Sequence, residues 1–137
     1  MLLDLDKFKD VNDGFGHPVG DALLKHTARV LEQSVRESDT VARIGGDEFA
    51  IILNNVEDPL RIRQVAERIV AELSQPVVLD GNLVPGGTSI GIGIFPRDAA
   101  DASELIRLTD QALYESKKRG RGTFQYYDEV MDTRARH

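Results

Sequence analysis

Arg43-Ile44-Gly45-Gly46-Asp47-Glu48-Phe49 sets two glycines and two acids between two apolar runs. One run, Val41 to Ile44, leads in; the other, Phe49 to Leu53, leads out. Two extended runs joined through glycines predict a β-hairpin, because a tight turn needs positive φ and glycine supplies it without steric penalty. The acids then stand at the mouth of the second strand. A bare backbone beside two carboxylates suits the approach of a bulky anion together with its metal ion.

The chain has 137 residues, 41% of them hydrophobic, enough for one domain with a real core. It has no cysteine, which removes disulfides and thiolate metal sites and fits a reducing, cytoplasmic setting. No apolar run is long enough to span a membrane. A net charge of −6 argues against a nucleic-acid partner. Lys117, Lys118, Arg119 and Arg121 still cluster, so an anion can be held locally.

Working outward, Met1 to Asp6 reads as a short buried strand ending in acid. A buried strand at residue one reads as the start of a fragment. Lys7 to Gly16 reads as turn-rich, with at most one helical turn. Pro18 opens a helix to about Val35 that buries Val19, Leu23, Val30 and Leu31. Pro59 opens a second, with Ile62, Val65, Ala66, Ile69, Val70 and Leu73 at helical spacing, and Pro76 closes it. Val77 to Leu79 is a strand, Asp80-Gly81-Asn82 a turn, Pro85-Gly86-Gly87 a loop or bulge, and Thr88 to Phe95 a strand. Asp101 or Ser103 caps a third helix to about Arg119, and Thr123 to Tyr127 is the last strand. This order predicts an α/β (α+β) fold: a split βαββαβ, ferredoxin-like sheet with flanking helices and a central hairpin.

If the first strand neighbours the hairpin, Asp4, Asp6, Asp47 and Glu48 converge at one sheet edge. An all-oxygen set suits Mg²⁺ or Mn²⁺ rather than zinc. The same acids also read as solvated strand ends. Lys117 and Arg121 are four apart and can share a face toward an anion; they read equally as cations complementing a helix C-terminus. The turn Asp6 to Phe8 can present main-chain N–H groups to phosphates. Carboxylates, a divalent ion, cations and bare backbone are the parts of phosphoryl or nucleotidyl transfer.

The chain resembles the GGDEF family of diguanylate cyclases, on Gly45-Gly46-Asp47-Glu48-Phe49 and four further stretches. These are Asp4-Leu5-Asp6-Lys7-Phe8-Lys9-x-x-Asn12-Asp13, Gly16-His17-x-x-Gly20-Asp21, Ser89-Ile90-Gly91-Ile92 and Ala112-Leu113-Tyr114-x-x-Lys117-x-x-Gly120-Arg121. The resemblance implies a palm-type nucleotidyl-cyclase sheet and an enzyme that joins two GTP into cyclic di-GMP. It implies that Asp4, Asp47 and the Leu5 carbonyl hold the metal, and that Glu48 serves a second ion or the proton of the attacking hydroxyl. Asn12 and Asp21 match guanine-reading positions, and Lys117 and Arg121 match positions for the β- and γ-phosphates. Phe8 and Lys9 match the turn that cradles them. Arg36-x-x-Asp39 matches a product-binding inhibitory site, with Arg61, Arg63 and Arg68 as open candidates for a further cation. Two domains facing each other, a homodimer, are implied for catalysis. A catalytically silent domain that binds GTP or cyclic di-GMP and regulates a larger protein is the alternative.

The family's N-terminal helix, with its D-x-L-T-G-L-x-N-R pattern, does not stand in this sequence. The expected division is a GGDEF domain over 1–127 and a linker over 128–137. The linker resembles the join to a following EAL phosphodiesterase domain; sensor domains in the parent chain are also implied.

Overall fold

The hairpin at the centre of the sequence lies at one side of a five-stranded sheet in the computed structural model, which describes residues 1–129. In chain order the elements are β1 (Leu2–Leu5), α1 (Phe8–Phe15), α2 (His17–Ser34), β2 (Thr40–Gly45), β3 (Glu48–Ile52) and α3 (Pro59–Ser74). Then come β4 (Val77–Leu79), β5 (Asn82–Val84), β6 (Thr88–Ile92), α4 (Ala102–Lys118) and β7 (Phe124–Tyr126). The sheet order is β2-β3-β1-β6-β7. β1 runs antiparallel to both β3 and β6, whereas β7 joins β6 in parallel, a pairing that needs the α4 crossover. The first four strands are the split βαββαβ arrangement expected from the sequence, and β7 extends it.

Alternation along the strands sends the two faces to different helices. Leu3, Leu5, Phe49, Ile51, Ile90 and Ile92 are buried in one core with Leu23 and Leu31 of α2 and Ala66 and Ile69 of α3. The opposite face receives α4. A Cβ on Gly91 would lie 2.3 Å from both the Thr109 carbonyl and the Leu113 amide, so the bare main chain at 91 lets α4 approach the sheet this closely. That approach carries the helix's C-terminal cations to the acidic end of β1.

Several boundaries differ from the sequence reading. Lys7 to Gly16 is not mainly turn: an eight-residue helix occupies Phe8–Phe15. Val11 is 1% exposed, and burial of this one face holds a segment whose Asn, Asp and Gly content disfavours helix. Asn82, read as the end of a turn, instead begins a strand over Asn82–Val84. Asp80 (φ +50°) and Gly81 (φ +77°) make a two-residue turn that pairs it with β4 in a separate two-stranded sheet. β6 stops at Ile92; beyond it the Ile94 amide donates to Asp98 Oδ2 at 2.8 Å, and the chain turns away. The glycine pair is also split. Gly45 ends β2, and the turn itself is Gly46-Asp47, with a bulge between Arg43 and Gly45. Asp101, not Ser103, caps α4, accepting from Glu104 N at 2.8 Å. The linker expected over 128–137 lies, apart from Asp128 and Glu129, outside the described residues.

Candidate active site

The β1–β3 ladder sets Asp4 directly opposite Glu48, and the β1–β6 ladder sets Asp4 opposite Ser89. One row across three strands therefore carries two carboxylates on the face covered by α4. Asp47, in the adjoining turn, feels the Asp4 charge. Burial first, then Asp4, pushes the Asp47 carboxyl above its ordinary pKa. Glu48 is raised by burial, Asp4 and Asp110, with Lys117 opposing. The edge is thus crowded with negative charge, a condition that a cation relieves.

Asp4 has one oxygen paired and one buried without a partner among the described residues: its Oδ2 takes a salt bridge from Lys117 Nζ, and its Oδ1 is the unpartnered one. A buried carboxylate oxygen without a partner is costly unless a ligand completes it. Among the described residues no three His, Cys, Asp or Glu side chains form a ready-made metal cage. Two carboxylates and a main-chain carbonyl fit Mg²⁺ or Mn²⁺, which fill their shells with water and phosphate. Leu5 is 6% exposed, so its main chain is what it offers to this edge.

Asp6 is differently placed from its neighbour. Its Oδ1 accepts from Ser89 Oγ at 2.5 Å and its Oδ2 from Gly122 N at 3.0 Å. It therefore does not join the open carboxylates, although the sequence grouped it with them. The turn beside it is also narrower as an anion cradle than the sequence suggested. The Asp6 amide donates to Gly87 O at 3.1 Å, which leaves the first turn of α1, from Phe8 and Lys9 onward, with no side-chain cap at Lys7.

Asn12 and Asp21 come from different helices, α1 and α2. Gly20 lets Asn12 approach α2. A Cβ there would fall 1.8 Å from Asn12 Oδ1, so the Asn12 amide lies against bare α2 backbone one residue before Asp21. The sequence reading gave Gly20 no separate role, and the structure shows it making room for the Asn12 side chain.

Arg36 and Asp39 border an open groove that Glu32 and Glu37 also line. Asp39 is closed to it. Its Oδ1 accepts from Asn54 N at 2.9 Å, and its Oδ2 from Arg36 N at 2.8 Å and from Arg61 Nη2 at 2.5 Å. Burial pushes this carboxyl up, but hydrogen bonds from Arg61, Asn54 and Arg36 outweigh it and hold the pKa below the ordinary value. Of the three arginines left open by the sequence, Arg61 is the one beside Asp39. Arg63 instead stacks on Phe124 and Tyr126, 5.4 Å from each ring centroid.

The family model for the diguanylate cyclase GGDEF domain matches residues 1–123. The chain belongs to the GGDEF family. Among relatives of this GGDEF domain, the bifunctional diguanylate cyclase/cyclic di-GMP phosphodiesterase MucR of Pseudomonas aeruginosa is 37% identical over 98% of the chain. The chain spans 20% of MucR's length. The solved GGDEF domain of PA1120 (YfiN or TpbB) from Pseudomonas aeruginosa is 36% identical, with a TM-score of 0.87 over 91% of this chain and 78% of that one. The GGDEF domain of DgcB from Caulobacter crescentus, solved in complex with c-di-GMP, is 26% identical, with a TM-score of 0.78 over 93% of this chain and 75% of that one. The mixed α+β architecture is that of the GGDEF domains, and TpbB of Pseudomonas aeruginosa, a relative named diguanylate cyclase, is 37% identical over 90% of the chain, which spans 28% of its length. No helix among the described residues is long and apolar enough to cross a membrane.

Proposed function

We propose that this domain condenses two GTP molecules into cyclic di-GMP with release of pyrophosphate. The observation that carries the reading is the buried Asp4 Oδ1, unpartnered among the described residues, set in register with Glu48 and beside Lys117.

In this reading Asn12 and Asp21 read guanine; a carboxylate accepts from N1–H and N2–H₂, which adenine does not present in that pattern. A site built around those hydrogen bonds rejects a base that leaves them unmade. Lys117 and Arg121 hold the β- and γ-phosphates, with Phe8 and Lys9 at the uncapped start of α1. Asp4, Asp47 and the Leu5 carbonyl hold Mg²⁺ or Mn²⁺, which supplies charge neutralisation and acidifies the attacking hydroxyl when bound. Glu48 takes the proton from the 3′-hydroxyl of one GTP as that oxygen attacks the α-phosphorus of the other. Its upward-shifted pKa supports this, since a base poised nearer neutrality accepts a proton more readily.

Two such domains face one another during reaction, each bringing one GTP. Residues 1–127 form the catalytic unit and 128–137 the join to a further domain, for which MucR's two named activities offer a parallel. Arg36 binds cyclic di-GMP at an inhibitory site whose wall is formed by Asp39, itself held by Arg61, and the domain works where GTP is found, in the cytoplasm.

The test is incubation with GTP and Mg²⁺, chromatography of the products, and GTP binding measured in parallel. Cyclic di-GMP supports the cyclase. Binding without product supports the silent regulatory alternative, and absence of both sinks either reading.

A further inference from the structure

Asp4 lies in β1 and Asp6 in the turn that follows it, two residues apart, yet their environments are opposite. Asp4 keeps one buried oxygen open, whereas both oxygens of Asp6 are taken and its side chain is 6% exposed. The Asp6 contacts reach a particular place. The Gly122 amide ends the turn Gly120-Arg121-Gly122, whose φ values are +114°, +62° and +62°. Arg121 is not a glycine, and a side-chain-bearing residue held in this region costs about 1–2 kcal/mol. Such a residue persists where its surroundings over-determine it.

Two bonds hold the turn to its own helix: Arg121 N to Ser116 O at 3.2 Å and Gly120 N to Lys117 O at 3.4 Å. The Gly122–Asp6 bond is different, because it ties the turn to β1. Asp6 Oδ1 also lies 3.9 Å from Arg121 Nη1, close enough to orient the guanidinium without enclosing it, since that side chain remains 55% exposed. Ser89 fixes Asp6 in turn from the neighbouring strand.

We propose that Asp6 is a positioning residue for Arg121. It pins the left-handed turn after α4 to the end of β1 and aims the guanidinium at the acidic edge, and it is not a metal ligand. This rests on the reading of Arg121 as a phosphate-binding cation, and it adds that the phosphate grip is set from β1 rather than from α4 alone.

The experiment compares the whole chain with its Asp6→Ala, Asp6→Asn, Arg121→Ala and Asp6→Ala/Arg121→Ala variants. Amide hydrogen exchange at Gly122 and affinities for GTP and for GMP with Mg²⁺ are measured. Asp6→Ala is expected to lose Gly122 protection, to weaken GTP about tenfold and to leave GMP, which lacks the outer phosphates, unchanged. The double variant is expected to bind GTP no worse than Arg121→Ala alone. Asp6→Asn keeps an acceptor for Gly122 and covers the case in which Asp6→Ala does not fold; it is expected to keep protection and lose less GTP affinity.

Equal weakening of GTP and GMP, or losses that add in the double variant, would make Asp6 merely structural. A changed Mg²⁺ requirement in Asp6→Asn would make it a metal ligand. Either result overturns the proposal, as does an unprotected Gly122 amide in the parent chain. The site reading fails separately, if Arg121→Ala binds GTP as the parent does. In that case loss of Gly122 protection in Asp6→Ala upholds the clamp, and retained protection refutes it.

Discussion

Lys117 Nζ forms a salt bridge with Asp4 Oδ2, so a cation assigned to phosphate and a carboxylate assigned to metal neutralise each other when neither ligand is bound. The pair is partly buried, with side chains 32% and 14% exposed. Metal and phosphates arriving together give each partner a replacement of the right sign. Lys117→Ala is therefore expected to lower the thermal midpoint without Mg²⁺ and to recover part of the loss when Mg²⁺ is added. Thermal melts with and without the ion check this; an equal loss in both conditions would mean that no ion reaches Asp4.

The raised carboxyls give a pH dependence of definite sign. Asp47 and Glu48 bind protons more tightly in the folded state, so their contribution to stability is full below the ordinary carboxyl range and is lost as pH rises through their raised values. Asp47→Asn should flatten that loss above the ordinary carboxyl range and raise the metal-free midpoint by a few degrees. It should also remove the Mg²⁺-dependent gain. A variant that melts lower than the parent at neutral pH would contradict this.

Glu48→Gln keeps the shape of the side chain and removes its ability to take a proton. Turnover is expected to fall at least about 100-fold, while GTP binding stays within a few-fold of the parent. Unchanged turnover would remove Glu48 from the chemistry.

Gly20→Ala tests how the guanine pair is built. The new methyl would occupy the place of Asn12 Oδ1, the far end of a flexible side chain, so Asn12 moves and the helices stay. The melting point should shift little, GTP should bind about tenfold more weakly, and the preference for GTP over ATP should narrow. Intact GTP affinity would separate Asn12 from base recognition.

Arg61→Ala leaves the buried Asp39 with main-chain partners only. Loss of a charged hydrogen bond of this kind costs about 2 kcal/mol, a fall of roughly 5–10 °C in Tm. Asp39's stabilisation is present above the ordinary carboxyl pKa and is lost as pH falls through its depressed folded value. The gap between parent and variant should therefore shrink in acid. Arg36→Ala, whose exposed side chain has no ion pair among the described residues, should keep the melting point and relieve inhibition by added cyclic di-GMP. Unchanged inhibition would show that the groove is not used.

The hairpin, the three long helices and the split sheet were legible because period and punctuation are local. Pro18 and Pro59 stand at helix starts, and Val65, Ala66 and Ile69 share one buried face. The helix Phe8–Phe15 was not legible, since tertiary burial of Val11 overrides poor local propensity. β5 escaped notice because Asn82 reads as a turn residue, which leaves only Leu83 and Val84 before Pro85; its strand character comes from pairing with β4.

The sequence by itself determined which residue types were available for chemistry and which family they belong to. Its motifs name side chains and carry no partners. Tertiary structure alone decided that Asp4 has an open oxygen while Asp6 has none, because that depends on Ser89 and Gly122, 83 and 116 residues away. It likewise chose Arg61 over Arg63 and Arg68 for Asp39, since only folding brings α3 against the loop before β2. A carboxylate's role follows from what fills its hydrogen bonds, and that is settled by contacts between segments far apart in the chain.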